Sequence, residues 1–156
     1  MKWIILKALL PGFLLVALLS GCKSTDTAKV GSLASIDITG HSLPEVRQAV
    51  VETFLLNGYS QKSGLTFDKQ GTNWDTVAYG NWSGNAVWYR MKVSVVPRPG
   101  GTCVVACDAY LIRDHGEGFM EEEQRLVASK RGDAMKLLEE VKTRLSSGAT
   151  PLPTGN

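Results

Sequence analysis

The chain has 156 residues and carries 17 Lys and Arg against 15 Asp and Glu. Two of the basic residues, Lys2 and Lys7, lie in an initial segment that holds no acid, so the remainder, Cys22 to Asn156, is balanced. That balance removes any electrostatic footing for nucleic acid, and the length suits one small domain.

The N-terminal segment has three parts. Lys2 and Lys7 supply positive charge, Ala8 to Leu19 is apolar apart from Pro11 and Gly12, and Leu19-Ser20-Gly21-Cys22 closes it. The apolar run falls short of the about 20 residues that a membrane span needs. A charged start, a short apolar centre and small residues at the end mark a processed export signal over 1–21. The closing four residues resemble the lipobox of bacterial lipoproteins. That resemblance implies cleavage before Cys22, diacylation of its thiol and, as a rule, acylation of the new amine. Each buried methylene of an acyl chain adds roughly 0.8 kcal/mol, so two or three chains hold far better than one. An Asp after the cysteine tends to retain lipoproteins of enteric-type bacteria at the inner membrane. Lys23 stands there instead, which resembles the pattern of sorting to the periplasmic face of the outer membrane.

Residues 22–35 are small and polar after the cysteine and read as a lipidated tether, which as a random coil spans on the order of 20 Å. Residues 36–146 are expected to form the domain and 147–156 a frayed tail. Ile36-Asp37-Ile38 reads as a first strand. A helix follows, started by a Ser42–Glu45 capping box with Pro44 in its first turn. Val46, Ala49, Val50, Thr53 and Phe54 fall on one face, and Asn57-Gly58 stops the helix. Leu65 and Phe67 mark a second strand.

The middle of the chain can be laid out as an antiparallel meander of Trp74 to Trp82, Val87 to Val96 and Thr102 to Ile112. A turn at Gly84-Asn85 pairs Ala78 with Met91, Thr76 with Val93 and Trp74 with Val95. A loop at Pro99-Gly100-Gly101 pairs Val95 with Val105, Val93 with Cys107, Met91 with Ala109 and Tyr89 with Leu111. Both registers put the apolar residues on one face, and a slip of one residue in either would undo the match. Cys103 and Cys107 then share that face about 13 Å apart at ~3.3 Å per residue. A disulfide needs Cα atoms within roughly 7 Å, so both read as buried thiols.

Phe119 to Val127 reads as a strand or a helix start. Ala134, Leu137, Leu138, Val141 and Leu145 give a last amphipathic helix. The expected fold is α+β in two layers, an antiparallel sheet of about five to six strands with two helices on one face, in the order β-α-β-β-β-β-(β)-α. That order resembles, as an order alone, the helix-grip domains of accessory lipoproteins in outer-membrane assembly.

Catalytic signals are weak. His41 reads as a solvated turn residue before the first helix, and His115 sits in the loop-like Arg113-Asp114-His115-Gly116-Glu117. No Gly-x-Ser-x-Gly elbow, phosphate loop or dinucleotide fingerprint is present. Asp114, Glu117, Glu121, Glu122 and Glu123 could approach a cation near His115, but successive strand residues diverge, and a solvated charged edge is the better reading. No cofactor or metal is implied.

The other face of the meander carries the candidate contact surface. Tyr79, Trp88, Arg90, Tyr110 and Ile112 gather there, with Arg90 between two tyrosines in a cation–π arrangement and Lys92 opposite Asp108. If both helices cover the first face, this patch is open to water and suits a partner, or the residues simply brace one another. The expected function is a non-enzymatic envelope scaffold or binding module on a membrane anchor at Cys22, with an envelope protein as its partner. A small-ligand or glycan binder, for example of peptidoglycan, is the alternative. A hydrolase using His115 and Glu117 is the weakest reading.

Overall fold

The structure is a computed structural model that describes residues 31–79, 86–116 and 120–148. The signal segment, Cys22, the Gly84-Asn85 turn, Glu117 and residues 149–156 lie outside the described residues. The described chain runs β1 (Ala34–Thr39), α1 (Leu43–Leu56), β2 (Ser60–Ser63), β3 (Thr66–Gln70), α2 (Asn73–Tyr79), β4 (Trp88–Arg98), β5 (Thr102–Arg113), β6 (Glu122–Leu126) and α3 (Arg131–Ser146). The strands form one antiparallel sheet in the order β1-β5-β4-β3-β2. β6 pairs with β5 through Ala109 to Arg113, while β1 pairs with it through Thr102 to Cys107. β4 takes the whole of the opposite edge, so β1 and β6 lie end to end along one side of β5.

The two-layer α+β expectation holds. α1 starts as its residues dictate: the Ser42 N–H donates to the Glu45 carboxylate at 2.7 Å, and the Glu45 N–H donates to the Ser42 hydroxyl. Asn57 caps the far end, and Gly58 leaves it at φ 78°, a backbone conformation that costs glycine little. Val46, Ala49, Val50, Thr53 and Phe54 are all buried. They meet Ala134, Leu137, Leu138 and Val141 of α3 over a sheet face made of Ile38, Phe67, Met91, Val95, Cys103, Val105, Cys107 and Ala109. Phe54 stacks on Phe67 with ring centroids 4.5 Å apart. Burying a side chain of that size is worth about 1.5–3 kcal/mol. The helices are also tied to each other, by Asn57 to Glu140 at 3.0 Å and by Arg144 to Glu52 at 3.2 Å.

The β4–β5 hairpin keeps the register read from its loop. Val95 faces Val105, Val93 faces Cys107, Met91 faces Ala109 and Tyr89 faces Leu111. Gly100 and Gly101 both take positive φ, which lets the loop close in three residues. Cys103 and Cys107 are buried free thiols. Within the stretch read as a strand or a helix start, Glu122–Leu126 forms a strand, β6. The strand layer begins at Ala34, with Leu33 already in the core, which shortens the tether by two or three residues.

The first hairpin of the meander does not form. Residues Asn73–Tyr79 are helical, and β3 takes the edge of β4 that was assigned to them. Phe67 stands beside Met91, Asp68 beside Arg90 and Thr66 beside Lys92. The physical reason is twofold. Phe67 fills the core opposite Met91, and Asp68 supplies the carboxylate that a buried Arg90 requires. In the expected register Ala78 and Tyr79 would stand there, one too small to fill the core and the other with no carboxylate. The start of α2 is set locally: Thr72 N–H donates to the Asp75 carboxylate at 2.7 Å, and Asp75 N–H donates to the Thr72 hydroxyl at 3.2 Å. This is a second capping box, with Asp in the place more often held by Glu.

Candidate functional site

The sheet face turned away from α1 and α3 carries the charged centre of the molecule. Alternation along the strands sends Asp68 of β3 and Trp88, Arg90 and Lys92 of β4 to this face, along with Asp108, Tyr110 and Ile112 of β5. Arg90 is only 4% exposed, Asp68 3% and Ile112 fully buried. The expectation of an open aromatic patch is therefore corrected. Arg90 and Ile112 are interior residues, Trp88 and Tyr110 are partly buried, and Tyr79 stands on α2 rather than on a neighbouring strand.

What covers the face is the connection from β5 to β6. It brings His115 over β3, where the Nε2 atom lies 2.9 Å from Asp68 Oδ2, and stacks the imidazole on Trp88 with centroids 4.1 Å apart. It also carries Glu121 across the sheet. Glu121 accepts from Arg90 Nη1 at 2.5 Å and lies 3.4 Å from Lys62 Nζ on β2. A solvated edge was expected for these acids. Three of them instead meet cations: Glu123 lies 2.5 Å from Lys92, Glu122 lies 3.2 Å from Arg113, and Glu121 holds Arg90.

Arg90 is the hub. Its Nε donates to Asp68 Oδ1 at 2.7 Å and its Nη2 to Oδ2 at 2.8 Å, a bidentate fork, while Nη1 serves Glu121. Its hydrogen bonds to Asp68, and next those to Glu121, raise the guanidinium further above its ordinary range against the opposing effect of burial. Burial alone would push Asp68 up, but hydrogen bonds from Arg90 and His115 outweigh it and hold the carboxyl below its ordinary value. Glu121 is lowered from 4.5 to about 2, first by Arg90, with the Gly116 N–H and Lys62 adding to it. No cation–π contact joins Arg90 to the tyrosines. Lys92 takes that role, with Nζ 4.5 Å from the centre of the Tyr110 ring. Lys92 and Asp108 are register neighbours as expected, yet Asp108 pairs with Arg125 at 2.6 Å.

The chemistry of this arrangement is that of a lock. An imidazole held by a carboxylate can orient a base for a nucleophile, but both oxygens of Asp68 are committed to Arg90, and one of them also to His115. No Ser, Thr or Cys side chain bonds His115 among the described residues, and no group of three or more His, Cys, Asp or Glu that could hold a metal occurs among them. His41 lines a cleft with Glu45, Gln48, Glu52 and Arg144, on the helix side and away from His115. Sequence reasoning put Trp88 and Arg90 on this face but left His115 in a loop and missed Asp68. The available signal was an arginine in mid-strand between Tyr89 and Met91, where a cation needs a carboxylate. Nothing in the sequence said which acid answers it.

Comparisons with protein-family models, curated proteins and solved structures return no match to this chain.

Proposed function

We propose that this protein is a lipid-anchored component of a bacterial cell envelope, a non-enzymatic binding or scaffold module held at the membrane through Cys22. The observation that carries the reading is Leu19-Ser20-Gly21-Cys22 behind a segment with two lysines and an apolar run. Lys23 favours the periplasmic face of the outer membrane within that reading. The geometry of the outer face supports a structural rather than a catalytic role for its charges, since Asp68, Arg90, Glu121 and His115 satisfy one another. A glycan platform on Trp88 is disfavoured because His115 already covers that ring. The test is growth with an alkyne-bearing palmitate, followed by fractionation of cells making the wild type or Cys22→Ser. The wild type is expected labelled and in the membrane fraction, with the variant unlabelled and released. A labelled Cys22→Ser, or an unlabelled wild type, would sink the proposal.

A further inference from the structure

α2 is an anomaly in this fold. It is seven residues long, too short to persist alone in water, and none of its residues is buried. Polar contacts fasten it instead. The Asp75 carboxylate accepts from the Tyr89 hydroxyl, and the carbonyl of Tyr79 accepts from Arg113 Nε at 3.1 Å. Gly71 brings the chain against β4, its N–H donating to the Val87 carbonyl at 2.8 Å, and a side chain there would crowd Val87. The helix therefore presents its apolar side outward. Trp74 is 81% exposed and Val77 77%, one turn apart on one face. Met120, 70% exposed, stands at the same end of the sheet, two residues before the Glu122 that pairs with Arg113.

The place where the tether joins the domain says what can cover this face. Arg125 donates to the Gly31 carbonyl at 2.5 Å and to Asp108 at 2.6 Å, so the described chain begins beside Asp108. Arg113, which holds α2, lies five residues further along β5, or about 16 Å at ~3.3 Å per residue. From Cys22 to Gly31 the chain can extend to about 30 Å. A lipid on Cys22 and the α2 face can thus meet one bilayer together. Tryptophan with an aliphatic neighbour on a short surface helix is suited to the membrane–water interface, where an indole keeps its N–H wet and its ring in acyl chains.

We infer that the Trp74–Val77 face of α2 rests in the interfacial layer of the membrane that carries the anchor and sets the orientation of the domain on it. This contact rests on the anchoring proposed above. The test uses the mature protein purified from membranes and reconstituted in phosphatidylethanolamine–phosphatidylglycerol vesicles, with or without brominated acyl chains. Trp82→Phe with Trp88→Phe leaves Trp74 as the one tryptophan once the segment with Trp3 is removed, and circular dichroism checks its fold. In an otherwise unchanged chain, Trp74→Phe provides an independent reading. The expected result is blue-shifted Trp74 emission that brominated lipid quenches, and loss of the lipid-quenched part of the emission in Trp74→Phe. Emission quenched by acrylamide but not by brominated lipid would overturn the contact. So would emission protected from both, which would mean that a second copy covers the helix. The intact mass of the same sample reports the anchor separately. An acylated Cys22 with Trp74 in water leaves the anchor standing and removes the contact, whereas an unmodified Cys22 removes both.

Discussion

Asp68 and Arg90 stand directly opposite each other on β3 and β4 and meet through two hydrogen bonds on the sheet face that neither long helix covers. A buried ion pair gains little over a well-packed apolar pair, but removing one partner strands the other charge. Asp68→Asn is therefore expected to cost about 3 kcal/mol in urea unfolding. The double variant Asp68→Leu with Arg90→Met should cost less than the sum of its single changes. Additive costs would mean that the two side chains do not act as a unit.

The same cluster makes the fold sensitive to acid. Glu121 has a folded value near 2 against an ordinary 4.5, and Asp68 is shifted in the same direction. A lowered carboxyl stabilises the folded state fully above its unfolded value and loses that contribution as pH falls through the folded one. The urea midpoint is expected to drop between about pH 4.5 and 2. Glu121→Gln should flatten part of the drop, and a slope unchanged in that variant would separate Glu121 from the effect.

Thr53 lies fully buried in α1, and its hydroxyl has no hydrogen-bond partner among the described residues. An unpaired buried hydroxyl costs free energy that an isosteric methyl avoids. Thr53→Val should raise stability by about 1 kcal/mol, seen as a higher thermal midpoint. A lowered midpoint would show that the hydroxyl has a partner in solution.

Cys103 and Cys107 should be silent in the folded protein. Burial pushes the Cys107 thiol up to about 12, so the reactive thiolate is scarce at neutral pH. A thiol reagent is expected to modify neither cysteine natively and both in denaturant. Failure to modify them in denaturant without reductant would reveal a disulfide.

Much of the core was legible because two periodicities agreed with their punctuation. Ser42, Glu45, Asn57 and the spacing from Val46 to Phe54 specify α1 from local chemistry alone. Pro99-Gly100-Gly101 specifies the β4–β5 register by its loop length, and a slip of one residue would take Cys103 to Leu111 off the face that holds Tyr89 to Val95. The meander failed at Trp74–Tyr79, where tryptophan, threonine, valine and tyrosine imitate a strand by residue type. The capping pair Thr72–Asp75 was the local signal against it. β2 was invisible because all four of its residues are exposed at the sheet edge, so no alternation marks them.

The outer face was half legible for a different reason. Strand alternation placed Trp88, Arg90, Tyr110 and Ile112 together, which is a local property. Whether that face is open depends on where the β5–β6 connection goes. Its path is set by His115 meeting Asp68, 47 residues away, and by Glu121 meeting Arg90, 31 residues away. Pairings at such separations leave no trace in periodicity.

Anchoring at Cys22 is tested most directly by the mass of the N-terminal peptide of the protein recovered from the membrane fraction. The expected result is a chain that begins at Cys22 with a diacylglyceryl thioether, with or without an acylated amine. A chain that begins at any other residue, or at a Cys22 with a free thiol, would contradict it.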